Sequence, residues 1–143
     1  MAREQRDFKP DFFYHVYNRG NNKDAVLKYA EDKQFFITLL YRNIYKTDLH
    51  LYSYCIMDNH FHLIIKTGRK PTILSKFMQR VTIAYAIWIN KRHKRVGHLF
   101  QGQFNAKILR YKKDIKKVEQ YIRKNPVEKG LVRRPQDYPW SKF

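Results

Sequence analysis

Two histidines, a tyrosine and an asparagine have the types and spacing to do phosphoryl chemistry. His60 and His62 stand two apart in His60-Phe61-His62-Leu63-Ile64-Ile65-Lys66-Thr67, a stretch that reads as a strand. Residues two apart on a strand point to the same face. Both imidazoles therefore project together, while Phe61, Leu63 and Ile65 point the other way. Paired neutral imidazoles can ligate a divalent cation and leave positions open for phosphate and water. The same spacing also fits two solvent-facing histidines on a sheet. Tyr121 and Asn125 stand four apart in a segment with helical character, which puts them on one face. The carboxamide oxygen of Asn125 could complete a three-ligand site, with the Tyr121 hydroxyl one turn away. The competing reading makes Tyr121 a core residue and Asn125 a helix C-cap before Pro126. Glu119 and Gln120 lie on other faces of that helix.

Joined, the two pairs make one mechanism. A metal polarises a phosphate oxygen and offsets charge developing in the transition state. A tyrosine oxygen attacks phosphorus and becomes covalently attached, which is nucleophilic catalysis in two steps. Tyrosine has a pKa near about 10, so at neutral pH it needs help to lose its proton. It is also a good leaving group when a sugar hydroxyl attacks back, so cutting is reversible and suits strand transfer.

The elements that must position these groups can be read along the chain. Phe12 to Asn18 reads as a strand ended by the polar loop Arg19-Gly20-Asn21-Asn22-Lys23. Glu31 to Lys46 carries Phe35, Phe36, Leu39, Leu40, Ile44 and Tyr45 at helical spacing. Leu49 to Met57 and His60 to Thr67 read as strands joined by a tight turn at Asp58-Asn59. Thr72 to about Arg95 forms a long helix with Ile73, Leu74, Phe77, Val81, Tyr85 and Trp88 on one face. A strand from about Gln103 to Arg110 precedes a last helix, from an N-cap at Asp114 to Lys124, which Pro126 stops. The order β-α-β-β-α-β-α predicts an α+β fold, a small antiparallel sheet with helices packed mainly on one face.

Composition narrows the partner. The 143 residues fit a single domain spanning 1–143, and 43% hydrophobic content is enough to bury a core. There are 30 Lys+Arg against 12 Asp+Glu, a formal charge of +18. Such a surface repels itself unless a polyanion neutralises it, and nucleic acid does so with release of counterions. Aromatics reach 16%, and exposed ones beside a basic groove can stack unpaired bases. The charged start lacks the apolar stretch of a signal peptide, and Ile83 to Ile89 is too short to span a bilayer. A cytoplasmic protein, nucleoid-associated when on DNA, is expected, with no membrane partner. Cys55 is the single cysteine, which excludes an intrachain disulfide and a cysteine-based metal site.

Several blocks resemble a known family. Met57-Asp58-Asn59-His60-Phe61-His62-Leu63-Ile64 resembles the His-hydrophobic-His segment of the HUH single-tyrosine transposases. Tyr121-Ile122-Arg123-Lys124-Asn125-Pro126-Val127, with Gly130-Leu131-Val132 after it, resembles the tyrosine helix of the branch associated with repetitive extragenic palindromes (REP), within the IS200-like transposases. Tyr17-Asn18-Arg19-Gly20-Asn21-Asn22, Gly97-His98-Leu99-Phe100-Gln101-Gly102 and Asp137-Tyr138-Pro139-Trp140-Ser141 match the same branch in the same order.

The resemblance implies a ferredoxin-like sheet, with His60, His62 and Asn125 holding Mg2+ or Mn2+ and Tyr121 as nucleophile. It also implies a 5′-phosphotyrosine link, a free 3′-hydroxyl, and single-stranded DNA next to imperfect hairpins as substrate. The chain departs from the pattern at Asp58, where the family has Pro, and it ends at Phe143, where family members often continue.

Candidate DNA contacts follow. The amides and guanidinium of Asn18, Arg19, Asn21, Asn22 and Lys23 suit base edges, and the resemblance points to a short single-stranded tag beside the hairpin. The same residues also suit an ordinary strand-ending loop. Lys91, Arg92, His93, Lys94 and Arg95 form a basic cluster suited to phosphates, of which Arg92, Lys94 and Arg95 are the candidates; the helix dipole alone also favours cations there. Gln101, Gln103 and Arg110 flank the last strand and could line the groove. His15, His50 and His98 are read as structural or DNA-contacting. The competing function is a non-cleaving module that binds hairpin DNA or RNA, which has no need of His60, His62, Tyr121 and Asn125 together. Either a monomer or a homodimer is compatible with the sequence.

Overall fold

In a computed structural model, which describes residues 6–143, five antiparallel strands form one sheet in the order β4-β1-β3-β2-β5. The strands are β1 (Phe13–Arg19), β2 (His50–Ile56), β3 (His60–Lys66), β4 (Asn105–Leu109) and β5 (Ser141–Lys142). The helices are α1 (Ala30–Ile44), α2 (Ile73–His93) and α3 (Lys112–Glu128), with short 3-10 turns at Asn21–Lys23 and Pro135–Asp137. The first four strands and three helices follow the order expected from sequence, and the architecture is α+β and ferredoxin-like. The short β5 adds an edge that the sequence reading had not assigned; it pairs Ser141 with Cys55 and Lys142 with Tyr54.

The period-two alternation of the central strands sorts residues between two layers. Tyr14 and Val16 of β1, with Phe61, Leu63 and Ile65 of β3, face α1 and α2. They form one core with Phe36, Ile37 and Leu40 of α1 and Leu74, Phe77, Met78, Val81, Tyr85 and Ile89 of α2. The Phe36 and Phe61 rings meet at 4.9 Å, and each such fully buried side chain contributes about 1.5–3 kcal/mol. The opposite face of the sheet carries Cys55 and Ile64, and α3 packs there through Ile122. Tyr45, read from sequence as part of the α1 stripe, lies just past the end of the helix and is 84% exposed.

Two details of α3 differ from expectation. The helix begins after Tyr111, and Asp114 stands at its third position, where its carboxylate accepts the Tyr111 N–H at 3.2 Å. Pro126 lies inside the helix, which continues to Glu128. Proline removes one helix donor, but only the last turn follows it, so the loss is confined to the end. The helix stops instead at Gly130, whose φ of 73° suits glycine. Gly130 N–H donates to Val127 O at 3.0 Å and Leu131 N–H to Pro126 O at 3.0 Å, a Schellman closure.

The β2–β3 turn is tight, with Met57 N–H donating to His60 O at 2.8 Å. Asp58, the departure from the family pattern, points its carboxylate at Lys33 Nζ, 2.7 Å away on the buried side of α1. Lys33 also donates to Lys28 O at 2.9 Å. Removing Asp58 would leave a buried ammonium with a single neutral acceptor. Asp58→Ala is expected to destabilise the fold by about 1–3 kcal/mol in urea unfolding. Adding Lys33→Met should recover part of that loss. Additive losses in the double variant would show that the two side chains are not coupled.

Candidate functional site

Strand β3 sends His60 and His62 to the side of the sheet that α3 crosses. The two rings lie 5.0 Å apart at 82°. Ile122, fully buried against the sheet, seats α3, and its neighbours Tyr121 and Asn125 fall beside the histidines. His60 Nε2 is 3.3 Å from Asn125 Oδ1. The His62 and Tyr121 rings meet edge-on, with centroids 5.9 Å apart. Tyr121 is 55% exposed whereas Asn125 is buried, so the hydroxyl-bearing ring stands at the surface and the amide beneath it. The four residues that the sequence paired by spacing are therefore brought together from two elements. Glu119 is engaged elsewhere, accepting from Ser53 Oγ at 3.1 Å.

A cleft of about 840 Å³ opens over His60, His62 and Tyr121, with walls that include Tyr17, Arg19, Gln101 and Gln103. Its floor holds neutral imidazoles. His62 is depressed to about 3, by burial first and then by the neighbouring His60 and His15. Burial also lowers His60, against the opposing pull of its contact with Asn125. His15 is pushed down to about 4 by burial and by Lys107. Buried Cys55 is no competing nucleophile, because burial pushes its thiol up to about 12.

Among the described residues no three His, Cys, Asp or Glu side chains gather to hold a metal ion. The set formed here is two imidazoles and an amide oxygen. His62 Nε2 is buried and has no protein partner. An unpaired buried acceptor costs about 1–3 kcal/mol, so the site carries an unmet demand for a ligand. Such a nitrogen beside His60 Nε2 and Asn125 Oδ1 fits a divalent cation that draws its remaining ligands from phosphate and water.

The other candidates divide by position. Arg19 lines the cleft, its guanidinium donating to Gln101 Oε1 at 2.7 and 3.1 Å. Gln103 lines it as well. Asn18 reaches the wall but is buried, donating to Gly102 O at 3.2 Å and accepting the Arg19 N–H at 2.8 Å. Asn21, Asn22 and Lys23 form the turn beside the β2–β3 hairpin, where a Cβ on Gly20 would stand 2.2 Å from Asp24 O. Arg92, Lys94, Arg95 and Arg110 are not among the cleft walls. Arg92 holds buried Asp32 at 3.2 Å and lies over Trp88, Arg95 faces Asp24 at 3.8 Å, and Arg110 lies over Phe12. Lys94 is the left-handed C-cap of α2.

Sequence reasoning missed Tyr17, Asn105 and the part played by His15. The spacing His15-Val16-Tyr17 carried the same signal as His60-Phe61-His62, because both pairs present alternate residues to one face. What was hidden is the register that sets Tyr17 opposite His62.

Fold and site together define an α+β protein with a pair of cleft histidines beside an exposed tyrosine. Residues 9–125 match the family described as Transposase IS200 like, and the chain belongs to that family. It is 23% identical, over all of its length and 86% of the relative, to a Haemophilus influenzae protein described as a REP-associated tyrosine transposase. It also superposes, with a TM-score of 0.79 at 17% identity, on a REP-associated tyrosine transposase bound to a REP hairpin, covering 100% of this chain and 83% of that one. A Deinococcus radiodurans protein described as a transposase matches with a TM-score of 0.58 at 16% identity, over 85% of this chain and 95% of that one.

The depressed histidines give a stability signature. An unfolded histidine titrates near about 6.5, above the folded values of His62 and His15. Below that pH the unfolded chain binds more protons, so the stabilisation is complete above it and is lost as pH falls toward the folded values. In chelator, the melting temperature is expected to drop between pH 7 and pH 5, and less so in a His62→Asn variant. Identical pH profiles for the two proteins would contradict the neutral assignment of His62.

Proposed function

We propose that this chain is a metal-dependent transposase that cuts and rejoins single-stranded DNA beside hairpins, with Tyr121 as nucleophile. The observation that carries the reading is the buried, unpartnered His62 Nε2 beneath an exposed Tyr121, with His60 and Asn125 alongside. A non-cleaving hairpin binder gives no reason for that nitrogen to be left without a partner.

His60, His62 and Asn125 would hold the ion, Mg2+ or Mn2+. When bound, it would neutralise a non-bridging phosphate oxygen and stabilise the charge that grows there. Tyr121 Oη gives up its proton and attacks phosphorus. The bond to the 3′ oxygen breaks, that oxygen takes up a proton and leaves with the upstream fragment, and the downstream fragment remains joined to the tyrosine through its 5′ phosphate. Attack by another 3′-hydroxyl reverses the steps and reseals the strand. Asn125, one turn from Tyr121 on the same helix, keeps ligand and nucleophile at a fixed separation.

The substrate follows from the cleft and from the relative described as bound to a REP hairpin. Arg19, Gln101 and Gln103 in the walls, with Asn18, Asn21, Asn22 and Lys23 beside them, would read unpaired bases and their backbone. Arg92, Lys94, Arg95 and Arg110 are outlying cations suited to phosphates of the stem. We place the protein in the cytoplasm, on DNA, as one domain acting as a monomer or homodimer. No helix among the described residues is long and apolar enough to cross a membrane.

Tyr121→Phe removes one oxygen and little packing, so folding and hairpin affinity should survive while strand cutting is lost. Wild type should form a denaturation-resistant adduct with the 5′ end of the downstream fragment of the cut strand, mapped by peptide sequencing to Tyr121. His60→Ala and His62→Ala should each slow cutting by at least about 10²–10³-fold, the scale of losing one transition-state stabiliser. An adduct on another tyrosine, or normal cutting by the Phe variant, would remove the assignment.

Affinity should also fall steeply with salt, since each neutralised phosphate releases counterion. A hairpin with a single-stranded flank should outcompete plain duplex of equal length at moderate salt. Equal competition would reduce the interaction to nonspecific electrostatics.

A further inference from the structure

Each of the two cleft histidines directs one ring nitrogen to a partner outside the cleft. His60 Nδ1 lies 2.7 Å from Asn59 Oδ1. Asn59 is turned that way because its Nδ2 donates to the Lys23 carbonyl at 3.4 Å. Both His60 ring nitrogens face amide oxygens, which only accept, and the shorter contact, 2.7 against 3.3 Å, assigns the hydrogen of a neutral His60 to Nδ1. Its Nε2 then presents a lone pair toward Asn125 Oδ1, another acceptor, 3.3 Å away. Two facing lone pairs repel one another unless a cation sits where both can reach it.

His62 follows the same logic with a different partner. His62 Nδ1 lies 3.0 Å from His15 Nε2, and both side chains are buried. His62 Nε2 has no partner. A hydrogen on Nε2 would be a buried donor without an acceptor, while a hydrogen on Nδ1 is accepted by His15. The second arrangement avoids an unmet donor at Nε2, and again the lone pair there faces the site. His15 belongs to β1, the strand that pairs with β3, and its ring lies tilted against Tyr17, with centroids 4.6 Å apart. That packing holds the acceptor in place.

We propose that Asn59 and His15 are positioning residues that hold His60 and His62 in the Nδ1–H tautomer, aiming both Nε2 lone pairs and Asn125 Oδ1 at one divalent cation. Ligand histidines ordinarily take this support from a carboxylate, a backbone carbonyl or water. Here an amide and a third imidazole supply it, both neutral, so the site gains no negative charge from its supports. Phosphate oxygens then become the natural anionic ligands, which ties tight metal binding to the presence of DNA.

The inference rests on the metal reading of the proposed function, but the tautomers can be read without metal. Long-range ¹H–¹⁵N NMR of metal-free, histidine-labelled wild type at neutral pH should show Nδ1–H for both His60 and His62. His15→Phe should move His62 toward Nε2–H and weaken Mn2+ binding by about 10–100-fold, followed by the free-ion EPR signal. His15→Gln, which offers an amide acceptor, should restore part of both. Asn59→Leu should do to His60 what His15→Phe does to His62, and Asn59→Asp should retain the Nδ1–H form. Nε2–H at either histidine in a wild type that binds Mn2+ would overturn this inference alone. Unchanged Mn2+ affinity in both His15→Phe and Asn59→Leu would overturn it as well. Nδ1–H at both positions in a wild type that binds no Mn2+, with or without flanked hairpin DNA, would overturn the metal reading beneath it.

Discussion

Strand β3 lies between β1 and β2, and its strict alternation divides the molecule into a structural side and a chemical side. Phe61, Leu63 and Ile65 enter the core with α1 and α2; His60, His62 and Ile64 face α3. A slip of one residue in register would exchange the two sets, burying imidazoles among phenylalanines and exposing the core. The register is pinned from both neighbours, by the tight turn into β2 and by seven paired positions with β1. Everything that makes the site possible, including the reach from His15 to His62, inherits its geometry from that register.

The parts of the site that were legible in the sequence were those set by local periodicity. His60 and His62 share a face because strands have period two, and Tyr121 and Asn125 because helices turn in under four residues. Both statements need only a few consecutive residues. The parts that stayed hidden depend on distant pairings. Nothing near His15 announces that β1 will bring it against His62. Arg92 was read with its basic neighbours as a phosphate contact; its ion pair at 3.2 Å with buried Asp32, sixty residues earlier, could not be read from them. Pro126 carries a strong local stop signal, but the Gly130 closure downstream lets the helix run on past it. The β5 pairing rests on two residues whose only cue is the sheet edge they meet.

The site also departs from the rules that the rest of the fold obeys. Elsewhere most buried polar groups find hydrogen-bond partners, and the one buried oxygen among the described residues that does not, Asp32 Oδ1, is met by the Arg92 guanidinium at 3.2 Å. Tyr85 Oη donates to Val26 O at 2.6 Å, Tyr138 Oη donates to Ile56 O at 2.6 Å, and Lys33 meets Asp58. At the cleft floor His62 Nε2 does not, and His60 Nε2 faces an acceptor. Consistency across local and global preferences is what lets a sequence specify one fold, and its breach marks positions kept for function. The large α1–α2 core on the opposite face supplies the stability that lets such a floor persist.

Asp58 illustrates how a change next to such a site can leave its geometry intact. A carboxylate one residue from Asn59 and two from His60 could have turned inward and added charge to the cleft. It turns outward instead, to Lys33 on α1, and α1 lies on the far side of the sheet from α3. The backbone of the same turn is held independently, with Leu27 N–H donating to Asp58 O and Gly20 N–H to Asn59 O, both at 2.8 Å. Proline at that position would stiffen the turn by fixing φ. Here the turn is tied down by two backbone bonds and an ion pair, so stiffness arises from contacts with the layer beneath. The turn therefore couples the α1 side of the fold to Asn59, and through Asn59 to the orientation of His60.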